Sequence, residues 1–273
     1  MNYRHAYHAG NFADLVKHAV LLDLLARLQG APAPLKVIDT HAGAGLYRLD
    51  DPRAVRSKEA EAGVTRLMAE GASDALISLA EAVRSFNEGE TVAVYPGSPA
   101  LIASRLRSQD GYLGLEMNPE VQPLLDEALK PWSRATSRLA DGYETAPVEA
   151  AGTEGRAFIL IDPPYERSDD YARAAACVAQ VLKVRPQASL AIWTPLKDLE
   201  TFDGFMRRLQ AARVRALAVE ARLKPLTDPM KMNGCAMVLI NPPEGAPRQA
   251  LRIAEAVVAA LGGPAGMAKG WSV

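Results

Sequence analysis

The passage that most constrains this chain is Ala157-Phe158-Ile159-Leu160-Ile161-Asp162-Pro163-Pro164-Tyr165, an apolar run that ends abruptly in an acid, two prolines and an aromatic ring. Ala157 to Ile161 reads as a buried strand. Prolines stop a strand because they remove N–H donors and fix φ, so Asp162 is left exposed at the strand's C-terminal end. In open α/β sheets ligands bind along that edge. The groups offered there suit one task, the holding of a planar amino group such as N6 of adenine. The Asp162 carboxylate and the Pro163 carbonyl can each accept one N–H, and the Tyr165 ring can stack on a base. The passage therefore points to a nucleic-acid adenine-N6 methyltransferase, and the rest of the chain must supply a methyl-donor site.

At 273 residues the chain can bury one large core, or one domain with an insertion. Its 31 basic and 32 acidic residues give a net charge of −1, so no global field draws in nucleic acid. Any RNA or DNA binding must come from a local patch, and a basic tail is excluded. Cys177 and Cys235 lie far apart with no CxxC, which argues against a disulfide framework or structural zinc and fits a reducing cytoplasm. The first residues, Met1-Asn2-Tyr3-Arg4-His5, contain no apolar signal region, and no stretch approaches the ~20 apolar residues of a membrane span.

Asn11 reads as a helix N-cap with Asp14 three residues on, and Leu15, Ala19, Leu22 and Ala26 follow at helical spacing. The helix is expected to run to about Arg27 and to stop at Gln29-Gly30. Leu35 to Ile38 is a first strand, feeding the loop Asp39-Thr40-His41-Ala42-Gly43-Ala44-Gly45. A nucleotide-binding α/β unit then calls for a helix and a second strand whose terminal acid binds ribose, about 20 residues on. That strand and acid come only at Gly111 to Glu116, leaving roughly 50 surplus residues. Ser57 to Glu70 and Asp74 to Glu88 are charged and helical in pattern, and they imply an inserted helical subdomain over about 50–93. Ser98 reads as an N-cap with Pro99 at the first helical position, opening a helix over Ala100 to Ser108 that replaces the one missing after Gly45. Helices are further expected over 119–130, 169–182 and 198–212, and strands over 136–139 and 189–194. Val214 to Leu223 and Ala236 to Ile240, joined without a helix, imply an antiparallel hairpin closing an otherwise parallel sheet. The Gly- and Ala-rich C-terminal tail carries no element signal beyond a docking Trp271.

The glycine loop departs from G-x-G-x-x-G because Arg48 stands where the third glycine belongs, which argues against a dinucleotide and its pyrophosphate. S-adenosylmethionine has no phosphate but needs ribose, adenine and carboxylate contacts. Glu116 can accept from both ribose hydroxyls. Asp141, at the next strand end, can accept from the adenine amino group, with Gly142 leaving room for the ring. Each acid alone is more often a cap or turn residue; in register at successive strand ends they point to one ligand. His41, inside the loop, is expected to face the cleft, whereas His18, beside Lys17 on the first helix, reads by itself as a half-buried histidine bonded to Asp14. His5, His8, His18 and His41 lack cysteines or an obvious carboxylate partner, so no metal site is expected. Tyr3-Arg4-His5-Ala6-Tyr7-His8 mixes aromatic and basic groups suited to stacking bases and contacting phosphate, although by itself it reads as a frayed terminus. Asn241-Pro242-Pro243-Glu244 imitates the strand-end motif but offers an amide for the carboxylate and no aromatic ring, so it reads as a strand terminator. Neither cysteine lies beside a strand-end motif, which disfavours the cysteine route to C5-methylpyrimidine.

These features occur together in one known family. His5, His8-Ala9-Gly10-Asn11, Lys17-His18, the Asp39 to Gly45 loop, Tyr95-Pro96-Gly97-Ser98-Pro99, Asp141-Gly142, Leu160 to Tyr165 and Ile240-Asn241-Pro242-Pro243 stand in the order and spacing of the RlmJ family of bacterial 23S rRNA adenine-N6 methyltransferases. The chain resembles that family over nearly its whole length, least in 50–93, in Pro225 to Gly234 and at the C-terminus. The resemblance implies an α/β, Rossmann-like class I S-adenosylmethionine-dependent methyltransferase with a mostly parallel sheet, an antiparallel C-terminal strand and an inserted helical subdomain. It implies methylation of adenine 2030 (standard numbering) of 23S rRNA. By motif position it implies donor contacts from His18, His41, Ser98, Glu116, Asp141, Gly142 and Asp162, with Asp162 also the catalytic acceptor. Tyr3 and His5 would sit by the target adenosine with Lys17 nearby, and the N-terminal segment would fold over the cofactor. A cytoplasmic monomer with 23S rRNA as its partner and no membrane attachment is expected. A DNA adenine-N6 methyltransferase shares the Asp162 to Tyr165 motif and is the rival within the class. A non-catalytic RNA-binding module with an idle nucleotide pocket is the rival outside it, and an NAD-dependent dehydrogenase fits less well given Arg48.

Overall fold

A computed structural model describes residues 8–89, 91–227 and 232–273. Helix α1 (Phe12–Gln29) begins where Asn11, in extended backbone, accepts the Asp14 N–H on its side-chain oxygen at 2.9 Å. Most of its residues are buried all round the axis, unlike the single stripe of a surface helix. It lies between the sheet and other helices. Asp14, Lys17 and His18 therefore sit among leucines and valines, where only paired polar groups are tolerated.

Beyond α1 come β1 (Leu35–Asp39) and a short strand β2 (Leu46–Arg48). The segment that follows holds α2 (Pro52–Ser57), a π-helical turn (Glu61–Thr65), α3 (Arg66–Glu70) and α4 (Ile77–Ser85). It ends in β3 (Val94–Pro96), which pairs antiparallel with β2 in the register Leu46↔Pro96 and Arg48↔Val94. The segment thus leaves and rejoins the chain through one two-stranded ribbon. Val64, Leu67, Leu79 and Val83 from it join the same apolar cluster as the leucines of α1. The continuous helix expected over 57–70 is instead broken, because Lys58 takes a φ of 56° and the chain restarts as the π-helical turn.

The remainder alternates: α5 (Ser98–Ala103), β4 (Gly111–Glu116), α6 (Gln122–Leu129), β5 (Ala135–Leu139), α7 (Gly142–Ala151), β6 (Arg156–Ile161), α8 (Asp170–Val184), β7 (Ser189–Leu196) and α9 (Leu199–Ala211). Then follow β8 (Leu217–Arg222), β9 (Gly234–Ile240), α10 (Ala246–Leu261) and β10 (Met267–Ser272). The large sheet has the order β5-β4-β1-β6-β7-β9-β8-β10. The strands from β5 to β7 run parallel, while β9 is antiparallel to both β7 and β8, and β10 is antiparallel to β8. The hairpin expected from sequence is present, and a further reversed strand completes the edge. Residues along β6 alternate between two apolar clusters, Phe158 and Leu160 facing α1 and α10, Ile159 and Ile161 facing α7, α8 and α9. The result is a three-layer α/β/α Rossmann-like architecture whose strand order turns at β1, flanked by β4 and β6.

Several sequence expectations shift. Gly97, not Ser98, caps α5, and the helix ends at Ala103, short of the expected Ser108. Helices α7 and α10 and strand β10 were not anticipated. Trp271 does dock, as part of β10, with its ring edge-on to Phe202 and its Nε1–H donating to Glu220 at 2.5 Å. Among the described residues no helix is long and apolar enough to cross a membrane.

Candidate active site

A cavity of about 620 Å³ opens along the C-terminal edge of β6, β1, β4 and β5. Three of those neighbouring strands deliver an acid to its wall, Asp162 directly after β6, Glu116 at the end of β4 and Asp141 two residues after β5, while Asp39 at the end of β1 is buried behind it. All seven residues expected to contact a methyl donor line this one cavity, together with Lys17 and Pro163.

Lys17 reaches from α1 to the strand edge and links two acids. Its Nζ lies 2.6 Å from Asp162 Oδ2 and 2.8 Å from Asp14 Oδ1, with all three side chains largely buried. Burial works against the ammonium, but the two carboxylates outweigh it and hold the Lys17 pKa well above the ordinary lysine value. Lys17 is thus a fixed cation at neutral pH and cannot serve as a base. Asp14 is itself held by the Gly10 N–H on Oδ2 at 2.9 Å. At Asp162 the second oxygen, Oδ1, has no hydrogen-bond partner among the described residues, and Pro163 beside it lines the cavity.

The glycine loop is shaped by Tyr47. A Cβ on Gly43 would lie 2.3 Å from the Tyr47 hydroxyl oxygen, and both Gly43 and Gly45 take positive φ. Glu116 accepts the Gly43 N–H on Oε2 at 3.0 Å and the Asn118 N–H on Oε1 at 2.7 Å, which leaves a lone pair on each oxygen for a ligand. Behind the loop, Asp39 accepts from the Ser98 hydroxyl at 2.7 Å and from Tyr112 at 3.1 Å, both on Oδ2. Its Oδ1 is buried and unpartnered, and burial pushes the carboxyl up to about 6. Ser98 therefore serves the site through Asp39, not as a helix cap.

The His41 tautomer follows from its neighbour. The Thr40 hydroxyl donates its one hydrogen to the Leu160 carbonyl, so it can only accept from His41 Nδ1 at 2.7 Å. Nε2 is then the unprotonated acceptor. Burial pushes His41 down to about 3, so the ring stays neutral. His18 is fully buried, with Nδ1 2.8 Å from the Tyr95 hydroxyl. The half-buried histidine bonded to Asp14, expected of a lone His18, gives way to this pairing with Tyr95.

Asp141 caps α7, accepting the Tyr143 N–H at 3.0 Å and the Glu144 N–H at 3.4 Å on Oδ1, while Oδ2 pairs with Arg173 at 2.6 Å. Burial would raise its carboxyl, but Arg173 holds it below the usual range. One lone pair on Oδ2 remains for a ligand. Gly142 is required for a different reason from the one anticipated: a Cβ there would lie 1.9 Å from the Thr40 carbonyl oxygen, so it leaves room for backbone at least as much as for a ring. Arg173, which also lies over the Tyr143 ring at 4.5 Å, was missed from sequence because only the packing of α7 on α8 brings it to Asp141. Asp39 was legible only as part of the loop; an acid closing the first strand was the available signal.

Tyr165 is not in the cavity wall. Its backbone takes a φ of 51°, its hydroxyl donates to the Trp193 carbonyl at 2.7 Å, and its ring packs on Tyr171 at 4.4 Å. Stacking on a base from that position would require the ring to leave its packing. Tyr3 and His5 lie outside the described residues. Asn241-Pro242-Pro243 sits at the opposite sheet edge, since β9 is antiparallel to β7, and the Asn241 amide ties to the Pro186 and Ala188 carbonyls. Both cysteines are buried with thiols pushed up to about 12 by burial, far from nucleophilic.

Comparison with known proteins places the chain in a family. The family model described as ribosomal RNA large subunit methyltransferase D, RlmJ, matches residues 32–273. The ribosomal RNA large subunit methyltransferase J of Escherichia coli (strain K12) is 34% identical over 245 residues, covering 89% of this chain and 88% of that protein. Its namesake from Haemophilus influenzae is 32% identical over 248 residues, with the same shares covered. A crystal structure from Legionella pneumophila superposes with a TM-score of 0.88 at 26% identity, covering 97% of this chain and 98% of that one. This chain belongs to the RlmJ family of ribosomal RNA large subunit methyltransferases, enzymes that draw their methyl group from S-adenosylmethionine.

Proposed function

We propose that this chain methylates the N6 amino group of an adenine in 23S rRNA, adenine 2030 in standard numbering. The observation that carries the reading is the open Asp162 Oδ1 beside Pro163, with Oδ2 fixed by Lys17, at the wall of the cavity. The donor set suits S-adenosylmethionine. Asp39 Oδ1 is an orphaned buried acceptor, the Gly43 and Gly45 backbone leaves a cradle, and Glu116 keeps paired acceptors free. Glu116 would hold the ribose hydroxyls and Asp141 with Gly142 the adenine. The Asp39 to Gly45 loop, with His18, His41 and Ser98, would hold the amino-acid end. When bound, the donor supplies an electrophilic methyl group on a sulfonium.

The chain's own residues do the rest. Asp162 Oδ1 and the Pro163 carbonyl accept the two N6 hydrogens, which draws the nitrogen lone pair out of conjugation with the ring and aims it into the cavity. Lys17 permits only Oδ1 to face the substrate, and the same oxygen is placed to take the proton that N6 sheds. The target base must leave its stack to arrive, at a cost of a few kcal/mol in a duplex and less in a loop. Tyr3 and His5 would flank the target adenosine, with Tyr165 bracing the turn that presents Pro163. The 50–93 segment acts as an inserted helical subdomain on the ribbon of β2 and β3. The chain would act as a cytoplasmic monomer.

Mass mapping of 23S rRNA from cells with and without the protein tests the reading. The expected result is one adenine N6 methyl group lost on deletion. An unchanged map, or transfer to duplex DNA in preference to free 23S rRNA, would overturn it.

A further inference from the structure

Within the segment over 50–93, Glu59 reaches the residues that precede α1. Ser57 Oγ accepts the Glu59 N–H at 3.2 Å, and the left-handed turn at Lys58 projects Glu59 toward the residues that precede α1. There the Glu59 carboxylate meets His8 Nδ1 at 2.9 and 3.0 Å and accepts from the Asn11 amide at 2.9 Å. The backbones dock alongside: the Val64 N–H donates to the Gly10 carbonyl at 2.8 Å. A Cβ on Gly63 would lie 2.1 Å from that same oxygen, so the close approach depends on glycine. From Asn11 the polar chain continues inward. Asn11 Oδ1 holds the Asp14 N–H, Asp14 Oδ1 holds Lys17, and Lys17 holds Asp162.

We propose that Glu59 is a positioning residue for methyl transfer: it fastens residues 8–11 to the 50–93 segment and, through Asn11, Asp14 and Lys17, sets the carboxylate of Asp162. The inference rests on the role given above to Asp162. The 50–93 segment thereby bears on the reacting end of the site. The link has a pH dependence. Among the described residues, the charged groups acting on His8 are Glu59 and Asp14, which favour its protonated form, and Lys197, which opposes it. The Glu59 hydrogen bond is the largest influence and raises the His8 pKa, with partial burial working against it. The His8 part of the clasp is therefore fully present below His8's ordinary value near 6.5 and is lost as pH rises through the raised one; the Asn11 part is constant.

The test compares Glu59→Ala, Glu59→Gln, His8→Ala and the His8→Ala/Glu59→Ala pair, using the full chain and a 23S rRNA transcript. Glu59→Ala is expected to lower kcat at least about 10-fold, through loss of the charge-assisted contacts to His8 and Asn11, with S-adenosylmethionine affinity unchanged. Glu59→Gln, which can still accept from Asn11, should restore much of that loss. The ratio of parent to Glu59→Gln activity should fall as pH is raised from 6 to 9. The paired variant should lose less than the product of the single losses. In the same proteins, the Lys17 ammonium signal followed by nitrogen NMR should move in Glu59→Ala, whether or not RNA is methylated. A Glu59→Ala protein with parental kcat, or an unmoved Lys17 signal, would overturn the proposal. So would a kcat loss that tracks lowered thermal stability and is not restored by Glu59→Gln. A parent chain inactive on rRNA whose Lys17 signal still responds to Glu59→Ala would support the coupling and refute only the assigned function.

Discussion

Replacing Lys17 with methionine keeps an unbranched stem of similar length and removes the ammonium that lies 2.6 Å from Asp162 and 2.8 Å from Asp14. The three side chains are only 4%, 12% and 5% exposed, so water cannot replace the lost cation. Removing one partner of a buried ion pair costs about 3–5 kcal/mol, because it leaves charge buried and uncompensated. For a chain of this size that corresponds to a fall in melting temperature of roughly 6–20 °C. The Gly10 N–H still supports Asp14, which favours the lower part of that range. The pH dependence is diagnostic. In the parent, Lys17 has a raised pKa, so its stabilisation is complete below the ordinary lysine value and is lost only as pH rises through the raised one. The parent should therefore show no slope from this source between pH 5 and 8. In Lys17→Met two carboxylates are left without the cation between them, and protonating either relieves the site, so the deficit should shrink as pH falls toward 5. Calorimetric melts at several pH values would show this, beside single-turnover methyl transfer reduced at least 10²-fold. A variant melting within about 2 °C of the parent at every pH, with parental turnover, would refute the account of Lys17.

Other substitutions address the donor side. Gly142→Ala should destabilise the chain by about 1–3 kcal/mol or more, because its Cβ meets the Thr40 carbonyl, which is backbone and cannot swing away; urea unfolding and S-adenosylmethionine titration should both report it. Asp39, with its pKa raised to about 6, binds a proton more readily folded than unfolded. Its contribution is most favourable below its unfolded value and is lost as pH rises through about 6, by up to ~3 kcal/mol. Urea melts of Asp39→Asn at pH 4.5 and pH 7 should therefore lack a slope that the parent shows.

The fold was legible wherever one local signal decided the element. Asn11 with Asp14 announced α1, the apolar run before Asp162 announced β6, and the absence of a helix between β8 and β9 announced their antiparallel pairing. Helix α10 was missed although Ala246, Ala250, Ile253, Ala254 and Val257 recur on one face, because its alanines give a weak apolar contrast. Strand β10 has only half-buried and exposed positions, so its pairing with β8 decides it, not its own pattern. In the site, the acids at strand ends were readable because strand ends are readable. What joins them was not. Arg173 on Asp141, Tyr95 on His18, and the chain from Glu59 to Lys17 are long-range pairings that exist only after helices pack. Tyr165 shows the converse: a motif residue well suited to stacking is held instead by Trp193 and Tyr171.

The central claim is that the open oxygen of Asp162 holds the amino group that is methylated. The most direct test is single-turnover transfer of a labelled methyl group to 23S rRNA by Asp162→Ala, with donor binding verified in the same preparation. A fall of about 10²–10³ in rate, with residual label still on adenine N6, is the predicted result. Transfer at the parent's rate, or label at another base or atom, would contradict it.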